Sequence, residues 1–260
     1  MTIAATPASS LAHVLREVSE MNGPPRQRWE TVLDAEFGTP EFTLRHAAVM
    51  ETFHYTARAI VAEPAGKGRD ARLAQLPAWW QSVVGPAAVW DRSDSDVSLD
   101  AQSLRFLDLT AERLEDLHAG GASGELDPAL LDDLLGQAKE WLKEVTAERT
   151  LNRGLQMTLI QHLENLIWTI ENAGRFGVGL VVPAADQASG ALLRATASNP
   201  GLWQRWGKKV AAFVSAIVLL LTGYNQGVDA VEHTVSIVQG ELGAGDAGSG
   251  GSVAADKSAD

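Results

Sequence analysis

Glu51 and His54 stand one helical turn apart in METFHYTARA, and His46 lies two turns before His54. On a helix, a Glu-x-x-His step puts a carboxylate and an imidazole on one face. Combined with a second step and two more glutamates, it holds two iron ions in some four-helix bundles. Taken alone, the step here reads as a partly buried polar cluster, and no metal is expected. Glu232 and His233 are adjacent, so their side chains point different ways around a helix.

Gly174-Arg175-Phe176-Gly177-Val178-Gly179 has the glycine density of a phosphate loop. Such loops follow a strand and close on Lys-Ser or Lys-Thr. This stretch follows a helical pattern and lacks that ending. A helix end and a flexible connector before Pro183 are expected instead.

Nucleophile chemistry fares no better. The chain has no cysteine, which removes disulfides, thiolate catalysis and thiolate metal sites together and fits a reducing compartment. The text nearest to a nucleophile elbow surrounds Gly248-Ser249-Gly250, in a tail that cannot preorganise a base or an oxyanion hole. Asp132-Asp133 and Glu115-Asp116 are expected on solvated helix faces. No catalytic, cofactor-binding or metal-binding residue is expected, and the chain is read as a non-enzyme.

Eight tryptophans are many for 260 residues. Trp141 and Trp168 fall on apolar stripes and are expected in the core. Trp79 and Trp80 follow Pro77, and Trp90 stands alone near a loop. At least one of these three is expected to be partly exposed, where it could anchor a protein partner.

The elements that must carry these residues are helices. Thr39-Pro40, Asp127-Pro128 and Asn199-Pro200 each place a capping side chain before a proline suited to the first helical position. Val182-Pro183 offers the proline without the cap, and Ser98 could cap a segment beginning at Leu99. Apolar residues between these signals recur at three- and four-residue steps, and no alternating runs joined by hairpin turns occur. The reading is an all-α bundle of nine or ten helices, over 8–21, 26–37, 40–62, 69–83, 99–118, 128–149, 151–173, 184–198, 201–223 and 227–239. Its broad apolar stripe marks the 151–173 helix as central. Residues 1–7 are expected to be a flexible terminus and 8–240 one helical domain with a sub-boundary near 119–126. The Gly/Ser-rich stretch 241–260 is expected to be a disordered tail.

One stretch bears on function more than the rest. WQRWGKKVAAFVSAIVLLLTGYNQG carries no charge from Val210 to Tyr224. Fifteen residues of helix span about 22 Å, short of the roughly 30 Å of a bilayer core. The flanks argue otherwise: Trp203, Trp206, Lys208 and Lys209 before the run and Tyr224 at its end resemble interfacial anchors. Phe213 and Leu219 would then face lipid. Under the alternative they face the protein core, and Leu219→Arg would bury an unpaired charge. The valine stripe Val228, Val231, Val235 and Val238 offers a second helix to pack on, and the core reading is preferred narrowly.

The net charge of −12 argues against nucleic-acid binding, which needs clustered Lys and Arg. Fifteen arginines against six lysines, with abundant alanine, fit a GC-rich bacterial genome. Two functions follow. One is a cytoplasmic bacterial interaction module that binds a protein partner or itself. The other is a membrane-anchored or membrane-acting effector of the stress or phage-defence type, held at the inner membrane through 210–224.

Overall fold

The computed structural model describes residues 6–85, 100–119 and 128–224, with side chains in the last helix described as far as Leu219. Among these residues the chain is all-α and has no strand. The first six helices are α1 (Pro7–Glu20), α2 (Pro25–Leu33), α3 (Pro40–Ala62), α4 (Lys67–Leu73), α5 (Leu76–Val84) and α6 (Ala101–Ala119). Then come α7 (Pro128–Ala147), α8 (Arg153–Glu171), the single turn α9 (Ala173–Phe176), α10 (Val181–Ala197) and α11 (Pro200–Tyr224). The expected 227–239 helix, the tail from 241 and the sub-boundary at 120–126 lie outside the described residues.

The helix starts follow local chemistry. Thr6 and Ser9 form a capping box on α1, the Ser9 N–H donating to Thr6 Oγ1 at 3.1 Å and the Thr6 N–H to Ser9 Oγ at 3.0 Å. Thr39 Oγ1 accepts the Phe42 N–H at 3.2 Å, and Asn199 Oδ1 accepts the Gly201 N–H at 3.1 Å. Both precede a proline at the first helical position, as the sequence signals predict. At α6 the cap is Asp100, whose Oδ1 takes the Ser103 N–H at 2.8 Å. Ser98, the expected cap, lies outside the described residues.

Two expected boundaries are corrected by proline. The predicted 69–83 helix is two helices, because the Pro77 ring would clash with the Leu73 carbonyl if the turn ran on. The connector before Pro183 is not flexible: α9, a 3-10 turn over Val178–Leu180 and the start of α10 at Val181 fill it, and Phe176, Val178, Leu180 and Val181 are all buried. Gly177, at φ +80°, turns the chain there in the left-handed region that a side chain would strain.

This buried reversal decides the packing. It lays α10 back along α8, with α7 also packed on α8 and α11 against both α10 and α7. α1 packs on α6, α3 and the 3-10 turn, while α3 also meets α5, α8 and α10. The centre expected of 151–173 is therefore shared between α8 and α3. Leu11, Leu15, Trp29, Val49, Ile60, Trp79 and Phe176 fill the interior of the first half. Each such side chain contributes about 1.5–3 kcal/mol by leaving water.

Inside the reversal, the Gly179 N–H donates to Ser10 Oγ at 3.0 Å, and the Thr52 hydroxyl reaches Gly179 O at 3.0 Å. Pro183 stands where the helical donor to that carbonyl would be, and it has no N–H. Thr52 from α3 offers its hydroxyl there, shared with Ala48 O of its own helix at 2.8 Å. Replacing Thr52 with Val keeps the shape and removes the donor that these two buried carbonyls share, at a cost of about 1–3 kcal/mol. Thermal unfolding should show Thr52→Val melting lower by roughly 2–10 °C. Thr43→Val, which loses an exposed bond to Thr39 O, should melt as the parent does. Equal melting of all three would remove Thr52 from this role.

Candidate functional site

α11 carries most of the residues on which a membrane or partner contact was expected. Its N-terminal half is tied to α7. Lys209 pairs with Glu144 and, at 3.1 Å, with Glu140, while its Nζ sits 5.4 Å from the Trp141 ring centre. Trp206 is buried edge-on to Trp141 at 5.2 Å, and Phe213 is buried 6.5 Å from the same ring. Trp203 is half-buried and lies over Gly207, and Lys208 is exposed. Val210, Phe213, Val214 and Ile217 are the buried stripe of the helix. Trp206 and Phe213 are thus parts of the bundle interior, and Lys209 is a half-exposed ion-pair partner at its edge. The Tyr224 side chain lies outside the described part. Among the described residues, no helix is long and apolar enough to cross a membrane.

Leu219 departs from the core reading. It is 62% exposed, two residues past the fully packed Ile217. A charge at 219 is therefore solvated, whereas one at 217 is buried without a partner, at a cost of several kcal/mol.

The histidine steps do not converge. Glu51 and His54 are exposed on α3, whereas His46 is buried and faces Val83 O with Nε2 at 2.8 Å. The step on α3 is not alone in the sequence: Glu115 and His118 on α6 are a second Glu-x-x-His, and Glu115 too is exposed. No group of three or more His, Asp or Glu residues that could hold a metal occurs among the described residues. Asp132, Asp133 and Asp116 are exposed, as solvated faces require.

The two adjacent tryptophans part company. Trp79 is fully buried and its indole N–H donates to Ser103 O at 3.2 Å. Trp80 is 46% exposed and leans on Phe53 of α3 with ring centres 5.2 Å apart. Phe37, the other large exposed aromatic, has the Arg26 guanidinium over its ring at 5.0 Å. Trp90 lies outside the described residues.

Two features carry no mark in the sequence. Asn165 sits among the leucines of α8, is 3% exposed, and has neither amide atom hydrogen-bonded among the described residues. At the turn between α7 and α8, a surface cavity of about 570 Å³ is lined by Thr146, Glu148, Arg149, Leu151, Arg153 and Gln156. Arg149 and Arg153 have no ion pair among the described residues, and no spacing rule picks them out.

Burial sets the acid response. It lowers the pKa of His13, His46 and His162 below the ordinary 6.5, since each would have to charge away from water. Below that value the unfolded chain binds protons that the folded chain resists, so stability is full above about pH 6.5 and falls as the solution is acidified. Glu30, Asp100 and Glu148 are lowered by hydrogen bonds from the Phe37 N–H, from Ser103 and from the Thr150 hydroxyl, and their stability is lost only below about pH 4.5. Melting temperature should therefore drop between pH 7 and 5, and His46→Gln should flatten part of that drop. Burial raises Asp186 and Glu164, which act in the opposite sense, so the test is the difference between variant and parent. A His46→Gln profile identical to the parent's would contradict a buried, neutral His46. On α11, Ile217→Arg should unfold or aggregate the protein, while Leu219→Arg should leave circular dichroism and melting unchanged. The reverse order would place the helix the other way round.

Comparison with protein-family models, with curated proteins and with solved structures finds no match to this chain.

Proposed function

We propose that this chain is a non-enzymatic helical interaction module that binds a protein surface through Trp80 and Phe53, at the junction of α5 and α3. The observation that carries the reading is the split between Trp79 and Trp80. Side chains of adjacent helical residues point about 100° apart, so a Trp-Trp pair at the edge of a core buries one and presents the other. The presented ring leans on a second aromatic and rests on a helix that is fixed to the core one position earlier. Little ordering entropy is then lost on binding, and a fixed aromatic anchor of this kind dominates many protein interfaces.

A single substitution separates this face from the core. Trp80→Ala removes a half-exposed ring and its contact with Phe53, and should lower stability by about 0.5–1.5 kcal/mol without unfolding the protein. A photo-reactive phenylalanine placed at position 80 should cross-link in cells to one discrete protein, which mass spectrometry identifies as a partner or a second copy. Trp80→Ala should then weaken the purified pair by at least tenfold, as loss of a tryptophan hot spot does, at about 2 kcal/mol or more. The same photo-reactive residue at Met157, exposed on α8, serves as the control. Equal labelling at 80 and 157, or no discrete adduct at 80, would reject the reading.

A further inference from the structure

The cavity between α7 and α8 brings two arginines without ion pairs to one place. Arg149 and Arg153 both line it, both are exposed, and neither guanidinium has an ion pair or hydrogen bond among the described residues. Several other basic side chains are paired, Arg16 with Asp108, Arg72 with Glu63, Arg175 with Glu17 and Lys209 with two glutamates. Arg58, Arg105 and Arg113 also have no ion pair among the described residues, but none of them lines this cavity.

The groups around the two arginines have their own partners. Glu148 is the one carboxylate among the lining residues, and it is bound by Arg205 at 2.9 Å and by the Thr150 hydroxyl at 2.7 Å. Gln156 turns its amide N–H groups to Val145 O at 2.8 Å and Glu148 O at 2.9 Å, so the last carbonyls of α7 are occupied. The Thr146 hydroxyl donates to Leu142 O at 2.7 Å. What remains uncommitted at the cavity is two guanidinium groups, with Leu151 as an apolar wall.

We infer that this cavity binds a phosphate group, held by Arg149 and Arg153. A guanidinium presents paired N–H donors in a plane, which match two oxygens of a phosphate. The volume of about 570 Å³ exceeds what a bare oxyanion fills. The cavity is open to solvent, so there is room for a group attached to the phosphate. A soluble phosphate ester and an anionic lipid headgroup share this chemistry, and the two sources are told apart by experiment. The site is separate from the Trp80 face, and its failure leaves that reading untouched.

The test uses the full chain and three proteins: the parent, the double variant Arg149→Gln with Arg153→Gln, and Glu148→Gln. In the parent, phosphate titrated at constant ionic strength should shift the Nε–H resonances of Arg149 and Arg153 saturably, half-way at or below about 1 mM. Alternatively, the parent should co-sediment with vesicles of phosphatidylglycerol in phosphatidylcholine and not with phosphatidylcholine alone. Saturation by free phosphate assigns a soluble ester, and vesicle binding without it assigns a headgroup. In whichever assay responds, the double variant should bind at least tenfold more weakly. Glu148→Gln removes the nearby negative charge and frees Arg205, and it should bind about threefold tighter or more. A gain of this kind cannot come from misfolding. Response in neither assay, binding that survives the double variant, or Glu148→Gln that fails to tighten would each overturn the assignment.

Discussion

The Gly179 peptide is the point on which the bundle depends. A peptide group buried without partners is costly, and a chain that reverses direction inside a protein exposes several at once. Here the sequence sets the difficulty itself, since Pro183 leaves Gly179 O without its helical donor. Ser10 and Thr52 resolve it, and they come from α1 and α3. The reversal can therefore be buried only if the first and third helices are already beside it. This makes the first helices and the last ones parts of one interior. Arg175 with Glu17, and Arg45 stacked 4.4 Å over the Trp168 ring, add further ties across the same junction.

The same reasoning explains α11. Its tryptophans and lysines are those of an interfacial helix, and its apolar run is nearly long enough to mislead. Their meaning is set by α7, where Glu140 and Glu144 share one face and Glu148 follows just past the helix end. Lys209 and Arg205 lie along that face in antiparallel order, and Trp206 and Phe213 close on Trp141 beneath. A basic, aromatic flank looks alike whether headgroups or glutamates receive it. The glutamates sit in α7, far back in the chain, where no local pattern in α11 can announce them.

What the sequence made legible was what short-range chemistry decides. Thr39-Pro40 and Asn199-Pro200 mark helix starts because cap and ring act within one turn. The leucine stripe of α8 marks a buried helix because period alone places those residues on one side. Pro77 and Pro183 carried the same kind of information, since each speaks against the helix that a continuous apolar pattern suggests. The buried connector and the split between Trp79 and Trp80 were not legible in this way. They depend on Ser10, Thr52 and Ser103, residues distant along the chain whose hydroxyl or carbonyl happens to arrive. Nothing in the types of Arg149 and Arg153 distinguishes them from the other arginines either. Only the fold shows which arginines have acids within reach.

Net charge conceals this last point. An excess of acids suggests a surface that repels anions everywhere, yet charge acts over about a Debye length, roughly 8 Å at physiological salt. Within that distance of the α7–α8 cavity, the glutamate that would neutralise the arginines is held by Arg205 and Thr150. The acids nearest along α7 are those that bind Lys209. The pairing that fastens α11 to α7 therefore also occupies the carboxylates around the end of α7, and two guanidinium groups there are left without acids in an acidic protein.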